Sequence, residues 1–184
     1  MKLAVLFLLS VPAFAVELHV QFAALERILT EQMFTQEGRR YVRGDQKQKC
    51  NFAYLEKPQV EGEKGKLRIR ARFSGRRSLN IAGQCVGLGD AFDLVILATP
   101  HYKDGALQLQ GVKVSSAGKT GFYIRRVCES MEANLARDFR YPLELEARKT
   151  LEAPGREMHK FQVPAIRVSD DALVLTVDFE LTVR

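Results

Sequence analysis

Alternating apolar and polar residues predict strands along most of the chain. The clearest run lies at the C-terminus, where every second residue from Leu173 to Val183 is apolar and the positions between are mostly polar. Residues Lys66 to Phe73 alternate in the same way. A period of two places one set of side chains on a buried face and the other set in water. The pattern therefore predicts long antiparallel strands with one apolar face.

Eight segments are predicted as strands by this pattern. They are Val16 to Val20, Cys50 to Val60, Lys66 to Phe73, Phe92 to Thr99, Ala106 to Val114, Leu143 to Glu146, Phe161 to Val168 and Leu173 to Val183. Between them we expect an exposed loop after Gly38 and an irregular, glycine-rich segment from Ser74 to Gly89. Pro100 is expected to end the strand before it, because proline cannot donate to a strand ladder. An acidic turn at Ser169 to Asp171 should join the last two strands.

Two segments have the helical period instead. The first starts at Phe22, places Leu25, Ile28 and Leu29 on one face, and is expected to end near Gly38. The second runs from about Thr120 to Arg140, and Pro142 prevents its continuation.

Strands with one apolar face and helices with one apolar stripe bury each other most simply in two layers. We therefore predict an α+β fold in which a long, strongly curved antiparallel sheet wraps around the long second helix, with the N-terminal amphipathic helix beside it. Residues 16–184 are expected to form a single domain, since no linker or internal repeat interrupts them.

The N-terminus has the features of an export signal. Lys2 is followed by an unbroken apolar run from Leu3 to Leu9, and the small residues Ala13 and Ala15 fit a cleavage site. We predict a signal peptide over residues 1–15 and a periplasmic or secreted protein of 169 residues. The apolar run is too short to span a bilayer, which requires about 20 residues.

Charge limits the partners that an exported chain of this kind would bind. The formal net charge is +6, and it falls to +5 when Lys2 leaves with the signal peptide. Basic proteins favour acidic partners such as anionic lipid headgroups. Export and the absence of a nucleic-acid-binding motif indicate that nucleic acid is not the partner.

A row of basic residues on one predicted strand face is the most suggestive charged feature. It consists of Lys66, Arg68, Arg70 and Arg72, and Arg76 and Arg77 extend it. Two interpretations remain open at this stage. The row is either a contact surface for an anionic membrane or a device that keeps an outer strand soluble.

No catalytic or metal-binding pattern is present in the sequence. His19, His101 and His159 lie in three separate elements, and none belongs to a nucleophile or metal motif. We therefore expect a binding protein without a cofactor or metal. An enzyme whose site is assembled from scattered residues is the remaining alternative.

The three cysteines allow one disulfide in an oxidising compartment. In an antiparallel meander, Cys50 and Cys85 should reach the same end of the sheet. Cys128 falls on the apolar face of the second helix, where a thiol behaves as a small hydrophobe. We predict a Cys50–Cys85 bridge; a Cys85–Cys128 bridge and three free thiols are the open alternatives.

Three segments resemble the tubular lipid-binding (TULIP) superfamily of the bactericidal/permeability-increasing protein, and among its members the small periplasmic YceB-like family. These are Val20 to Leu25 at the start of the first helix, Ala98 to Leu107 around a central turn, and Val163 to Val177 at the C-terminal hairpin. The resemblance implies that a lipid or other apolar molecule binds between helix and sheet. The chain differs from that family in having no lipoprotein cysteine at the cleavage site.

The function predicted from these observations is the binding of a lipid-like or apolar ligand outside the cytoplasm. The second helix would line the groove, and its candidate residues are Phe122, Ile124, Val127, Met131, Leu135 and Phe139. The alternative is an envelope interaction or assembly protein that docks a partner or an anionic membrane surface through the basic row. The oligomeric state does not follow from the sequence.

Overall fold

The computed structural model describes residues 15–183, so the predicted signal peptide lies outside the described residues apart from Ala15. The strands are β1 (Val16–Gln21), β2 (Arg39–Arg43), β3 (Asn51–Glu63), β4 (Lys66–Ile81), β5 (Gln84–Lys103), β6 (Ala106–Ser116), β7 (Arg140–Tyr141), β8 (Arg156–Val168) and β9 (Ala172–Val183). The helices are α1 (Phe22–Gln32), α2 (Phe122–Asp138) and α3 (Leu143–Leu151). Among residues 15–183, no helix is both long and apolar enough to cross a membrane.

The larger sheet has six antiparallel strands in the order β2-β3-β4-β5-β6-β7 and curls into a half-barrel. Its centre is the β4–β5 hairpin, which stays in register from Ile81 opposite Gln84 to Leu67 opposite Ala98. The apolar face of this hairpin carries Phe73, Leu94 and other buried residues of the core. The predicted α+β class and the curved antiparallel sheet are thereby confirmed.

The smaller sheet has three antiparallel strands in the order β1-β9-β8. The pairing predicted for the last two strands is confirmed, and Ser169 closes their turn by donating from its hydroxyl to the carbonyl oxygen of Ala172 at 2.8 Å. The first strand pairs with the last, from Val16 opposite Val177 to Gln21 opposite Ala172. The two ends of the described chain therefore lie in one sheet.

The two sheets meet near the start of α1. The amide of Phe22 donates to the carbonyl oxygen of Asp171 at 3.2 Å. A Cβ at Gly62 would lie 2.2 Å from the carbonyl oxygen of Ser169, so only glycine allows β3 to approach the β8–β9 turn this closely. On the other side, the rings of Tyr102 and Phe161 make an edge-to-face contact between β5 and β8.

Helices α2 and α1 pack against the apolar face of the larger sheet. Ile124, Cys128 and Met131 of α2 are buried in the core, and the carboxylate of Glu132 accepts a hydrogen bond from the amide of Val114 in β6 at 2.8 Å. Helix α1 is fixed in a similar way, because Glu26 accepts a hydrogen bond from the amide of Val60 in β3 at 2.6 Å. In each case a helix carboxylate holds the helix against a strand.

The prediction of a strand at Leu143 to Glu146 is wrong, because these residues begin α3. Four alternating residues are too few to distinguish the two periods. The wider segment favours a helix, with Glu144 and Glu146 in the first turn and Arg148 and Lys149 in the last, where each charge complements the helix dipole.

Other boundaries also differ from those predicted. Helix α1 ends at Gln32, and Gly38 instead occupies a turn at φ +74° that leads into β2, a strand where we expected a loop. Residues 74–89 are not irregular: β4 and β5 continue through them to a tight turn at Ala82 and Gly83, both with positive φ. Pro100 does not end its strand, because it lies just beyond a register shift between Leu97 and Thr99 that interrupts the ladder.

The disulfide in the structure joins Cys50 and Cys85, whose Cα atoms are 5.2 Å apart, and Cys128 is free and buried. The bridge ties the loop before β3 to the β4–β5 hairpin. Ser78 reinforces this link, since its amide and hydroxyl both donate to the carbonyl oxygen of Cys50. Burial raises the pKa of the Cys128 thiol, and the nearby carboxylate of Glu132 adds to the effect, so the thiol stays protonated at neutral pH.

Replacing both bridged cysteines, as Cys50→Ala/Cys85→Ala, should lower the free energy of unfolding. The bridge spans 35 residues, and a loop of that size constrains the unfolded chain by about 4 kcal/mol on the chain-entropy model. Urea unfolding measures the loss, and wild-type protein unfolded with a reductant should match the double variant. A cross-linked peptide that contains Cys128, found by non-reducing peptide mapping, would contradict the assigned pairing.

Candidate functional site

A cavity with almost wholly apolar walls lies between α1, α3 and the three-stranded sheet, and its volume is about 440 Å³. Of the described residues that line it, only Gln32, Glu146, Thr150 and Tyr141 carry a polar group. The other lining residues have apolar side chains, and Ala147 is the smallest of them. Cavities of about 300–1,000 Å³ with mostly apolar walls and few polar groups are typical of small-molecule sites.

The floor of this cavity is formed by paired strands. Register places Val16 opposite Val177, Leu18 opposite Leu175 and Val20 opposite Leu173, and such pairs share one face of a sheet. All six residues line the cavity. The alternation on the last strand that predicted a buried face thus supplies half of this floor.

The floor is buried at one side and open at the other. Leu173 and Leu175 on β9 are only 1% and 2% exposed, whereas Val16 and Leu18 on β1 are 49% and 48% exposed. Since β1 is the edge strand of this sheet, the cavity opens toward that edge.

Two helices form the walls. Helix α1 contributes Leu25, Ile28 and Leu29, which recur at the helical period on its inner face, and Met33 follows as the C-cap residue of α1. Helix α3 contributes Leu143, Ala147 and Leu151, which are spaced four residues apart. Phe139 and Tyr141, just before α3, close the remaining side.

Arg148 attaches α3 to the rest of the protein. Its guanidinium donates to Glu144 on the same helix at 2.9 Å, to the C-cap residue Glu152 at 3.0 Å, and to the carbonyl oxygen of Met158 in β8 at 2.6 Å. The hydrogen bond to Glu144 raises the pKa of Arg148 further. Tyr102 in β5 donates its hydroxyl to the other oxygen of Glu144 at 3.3 Å, and burial raises the pKa of that hydroxyl.

A second groove lies on the other side of the core, between α2 and β2 to β5. Its volume is about 550 Å³, and it is lined by Phe52, Phe73 and Tyr123 together with Arg43, Arg76, Arg77 and Arg126. The lining of this groove therefore combines aromatic rings with guanidinium groups. Its character is mixed, whereas the cavity beneath α3 is almost wholly apolar.

The six residues that were predicted to line one groove along the second helix do not lie at one site in the structure. Phe122, Val127 and Met131 line the second groove, and Phe139 lines the cavity beneath α3. Leu135 and Phe139 also border a void of about 40 Å³ that shares Leu29, Met33 and Phe139 with the cavity beneath α3. Ile124 is 8% exposed and belongs to the core, so α2 does not line one continuous groove with all six.

Most residues of the apolar cavity were not predicted from the sequence. Because a strand was predicted at Leu143, the four-residue spacing of Leu143, Ala147 and Leu151 was not recognised as an apolar helix face. The contribution of β1 could not be recognised because its pairing with β9 joins the two ends of the chain.

The predicted row of basic residues lies on β4, but carboxylates of the neighbouring strands pair with most of it. Arg68 lies 3.1 Å from Glu61 and 3.3 Å from Glu63, and Arg70 shares Glu61 at 3.1 Å. Arg72 lies 3.3 Å from Asp93 in β5, and Lys66 is exposed. The cross-strand register, which places Glu61 opposite Arg68 and Asp93 opposite Arg72, causes this neutralisation.

The histidines lie apart from one another, as their positions in the sequence indicate. His19 lies 3.6 Å from Glu17 on the exposed first strand, and His101 is half-buried in β5. Within residues 15–183, no three side chains of His, Cys, Asp or Glu are grouped so that they could hold a metal ion.

No protein-family model matches the chain, and no curated protein matches it significantly. The resemblance to the TULIP superfamily therefore stays a prediction.

Replacing the anchor of α3, as Arg148→Gln, should loosen the helix over the apolar cavity. The variant loses the bonds to both glutamates and to β8, so we expect a lower Tm and faster amide hydrogen exchange across residues 143–151. The control is Lys149→Gln, whose side chain is 60% exposed and pairs only with Glu146 among the described residues. Equal exchange rates in the two variants would show that Arg148 does not hold the helix.

Proposed function

We propose that this protein binds one lipid-like or other apolar molecule in the cavity between α1, α3 and the three-stranded sheet, outside the cytoplasm. The observation that carries the proposal is the composition of that cavity, about 440 Å³ with almost entirely apolar walls. The TULIP-like resemblance of the sequence, which implies an apolar ligand held between helix and sheet, supports the same ligand class. The features of residues 1–15 support a periplasmic or secreted location.

The shape of the cavity suggests how an amphiphile would lie in it. The deepest wall carries Leu173 and Leu175, which suit an apolar tail, and the open edge carries the half-exposed Val16 and Leu18. A polar end group at this edge would remain in contact with water. The ligand then keeps its polar atoms solvated, which avoids the cost of burying them unpaired.

The free energy available from such a tail is sufficient for useful affinity. A chain of about 14 methylene groups contributes about 11 kcal/mol at ~0.8 kcal/mol per group. Association and ordering oppose binding by about 4 kcal/mol or more. The difference corresponds to a Kd in the micromolar range.

Filling the cavity tests the proposal directly. Ala147 lies on the inner face of α3, so Ala147→Phe would place a ring in the space that a ligand needs. We expect its affinity for the fluorescent fatty acid cis-parinaric acid to fall at least about tenfold, or 1.4 kcal/mol. The measurement is a fluorescence titration of the folded protein.

The matched control is Leu145→Phe on the same helix. Leu145 is 52% exposed and is not among the residues that line the cavity. This variant should bind the probe like the wild type. Equal affinities of wild type, Leu145→Phe and folded Ala147→Phe would show that the probe binds elsewhere, and no binding by the wild type would overturn the proposal.

The alternative function, docking of an anionic membrane through the basic row on β4, is supported less well. Arg68, Arg70 and Arg72 are all paired with carboxylates, which leaves little net charge on that strand face. Exposed Lys66 is the exception.

A further inference from the structure

The tip of the β4–β5 hairpin carries four exposed aliphatic side chains. Leu79 is 71% exposed, Ile81 57%, Val86 56% and Leu88 70%. Single exposed apolar residues are common on protein surfaces, but a group of them indicates an interaction site.

These four side chains lie on the same face of the hairpin. Leu79 is opposite Val86, Ile81 is opposite Gln84, and Leu88 is opposite Arg77, so the pairs project on one side. Counting back in steps of two along each strand leads to the buried Phe73 and Phe92. The exposed residues therefore continue the core face of the sheet beyond the point where other elements cover it.

The surrounding elements explain why this face is uncovered. The pairing of β3 with β4 ends at Asn51 opposite Arg77, and the pairing of β6 with β5 ends at Ser116 opposite Leu94. The other face of the tip, which carries Ser78 and Cys85, is fixed by the disulfide to Cys50 and by hydrogen bonds from Ser78. The hairpin is thus held with its aliphatic face toward solvent.

Basic and aromatic residues border this aliphatic face. Leu88 lines the same groove as Phe122, Arg76 and Arg77, and Phe122 is 67% exposed. The guanidinium groups of Arg125 and Arg126 lie 5.8 Å and 5.4 Å from the centre of the Phe122 ring. We call these residues the hairpin surface: Leu79, Ile81, Val86, Leu88 and Phe122 with Arg77, Arg125 and Arg126.

The charge of the hairpin surface is largely uncompensated, unlike that of the basic row on β4. Within residues 15–183, neither Arg77 nor Arg125 has a carboxylate in salt-bridge distance, whereas Arg126 pairs with Glu129 at 3.2 Å. A partner for this surface must therefore offer anionic groups beside an apolar phase.

We propose that the hairpin surface docks the protein on an anionic lipid bilayer. The aliphatic residues and Phe122 enter the boundary between headgroups and acyl chains, and the arginines contact lipid phosphates. An interfacial element of this kind combines an apolar face with flanking basic residues. A second copy of the chain is a poor partner, because a symmetric contact would place like-charged arginines against each other. The inference does not depend on the apolar cavity.

The experiment is sedimentation of the full chain with vesicles of three parts phosphatidylcholine to one part phosphatidylglycerol, compared with pure phosphatidylcholine vesicles. We expect binding to the anionic vesicles that weakens with added salt. Leu79→Gln/Leu88→Gln and Arg77→Gln/Arg125→Gln should each reduce the partition coefficient by about tenfold or more. These side chains are exposed, so circular dichroism should show an unchanged fold.

The control for charge is Arg68→Gln/Arg70→Gln. It removes the same number of positive charges, but from arginines of β4 that are paired with carboxylates, so it should change vesicle binding much less. Ala147→Phe should bind vesicles like the wild type. Absence of wild-type binding, equal binding to neutral vesicles, or equal loss in all charge variants would overturn the proposal. Hairpin-dependent binding of a purified protein partner in place of vesicles would overturn it as well.

A second measurement locates the contact. The chain contains no tryptophan, so Leu88→Trp introduces a single reporter on the hairpin surface and Leu145→Trp introduces one on α3. Brominated acyl chains in the anionic vesicles should quench the fluorescence of the tryptophan in Leu88→Trp and leave that of Leu145→Trp unchanged. Quenching of Leu145→Trp alone would place the membrane contact elsewhere.

Discussion

The apolar face of the central hairpin is longer than the helix that packs on it. Strand β5 has 20 residues and a contour length of about 66 Å at ~3.3 Å per residue. Helix α2 has 17 residues and a length of about 26 Å at 1.5 Å per residue. Curling the sheet shortens the distance to be covered, yet α2 still protects only the middle of the core, through Ile124, Cys128 and Met131. How the two ends of the apolar face are covered determines the rest of the architecture.

The two ends of the β4–β5 hairpin have different surroundings. At one end, Tyr102 of β5 contacts Glu144 of α3 and Phe161 of β8. Helix α3 and β8, together with α1 and the other strands of the smaller sheet, line the apolar cavity, to which β4 and β5 contribute none of the described lining residues. The bonds of Arg148 to Glu144 and to β8 hold α3 in place. At the other end, the disulfide of Cys50 fixes the hairpin tip, and its aliphatic face stays in water. A stable core thus occupies the centre, with an apolar cavity beside the elements that contact one end of the hairpin and an exposed apolar surface at the other end. Both are features that a chain optimised only for stability would be expected to lack.

The sequence predicted those parts of the fold that depend on local periodicity. The alternation in β4 and β9 and the helical stripes of α1 and α2 were sufficient for the α+β class and for the meander. It did not predict features that depend on pairing between distant residues: β1 beside β9, the carboxylates opposite Arg68 and Arg72, or the division of the α2 residues between two grooves. Helix α3 was not predicted because the four residues Leu143 to Glu146 are too few to distinguish a strand from a helix. The four-residue apolar spacing of a helix is seen only when Ala147 and Leu151 are included.

The central claim is that the space beneath α3 holds an apolar ligand and is not an imperfectly packed core. It is tested most directly by extracting the protein, purified under native conditions from its host envelope, with organic solvent and identifying the released molecules by mass spectrometry. We expect a single class of lipid-like molecule in about one-to-one ratio with the protein, strongly reduced in folded Ala147→Phe and retained in Leu145→Phe. Protein that carries no apolar molecule, or the same amount in both variants, would contradict it.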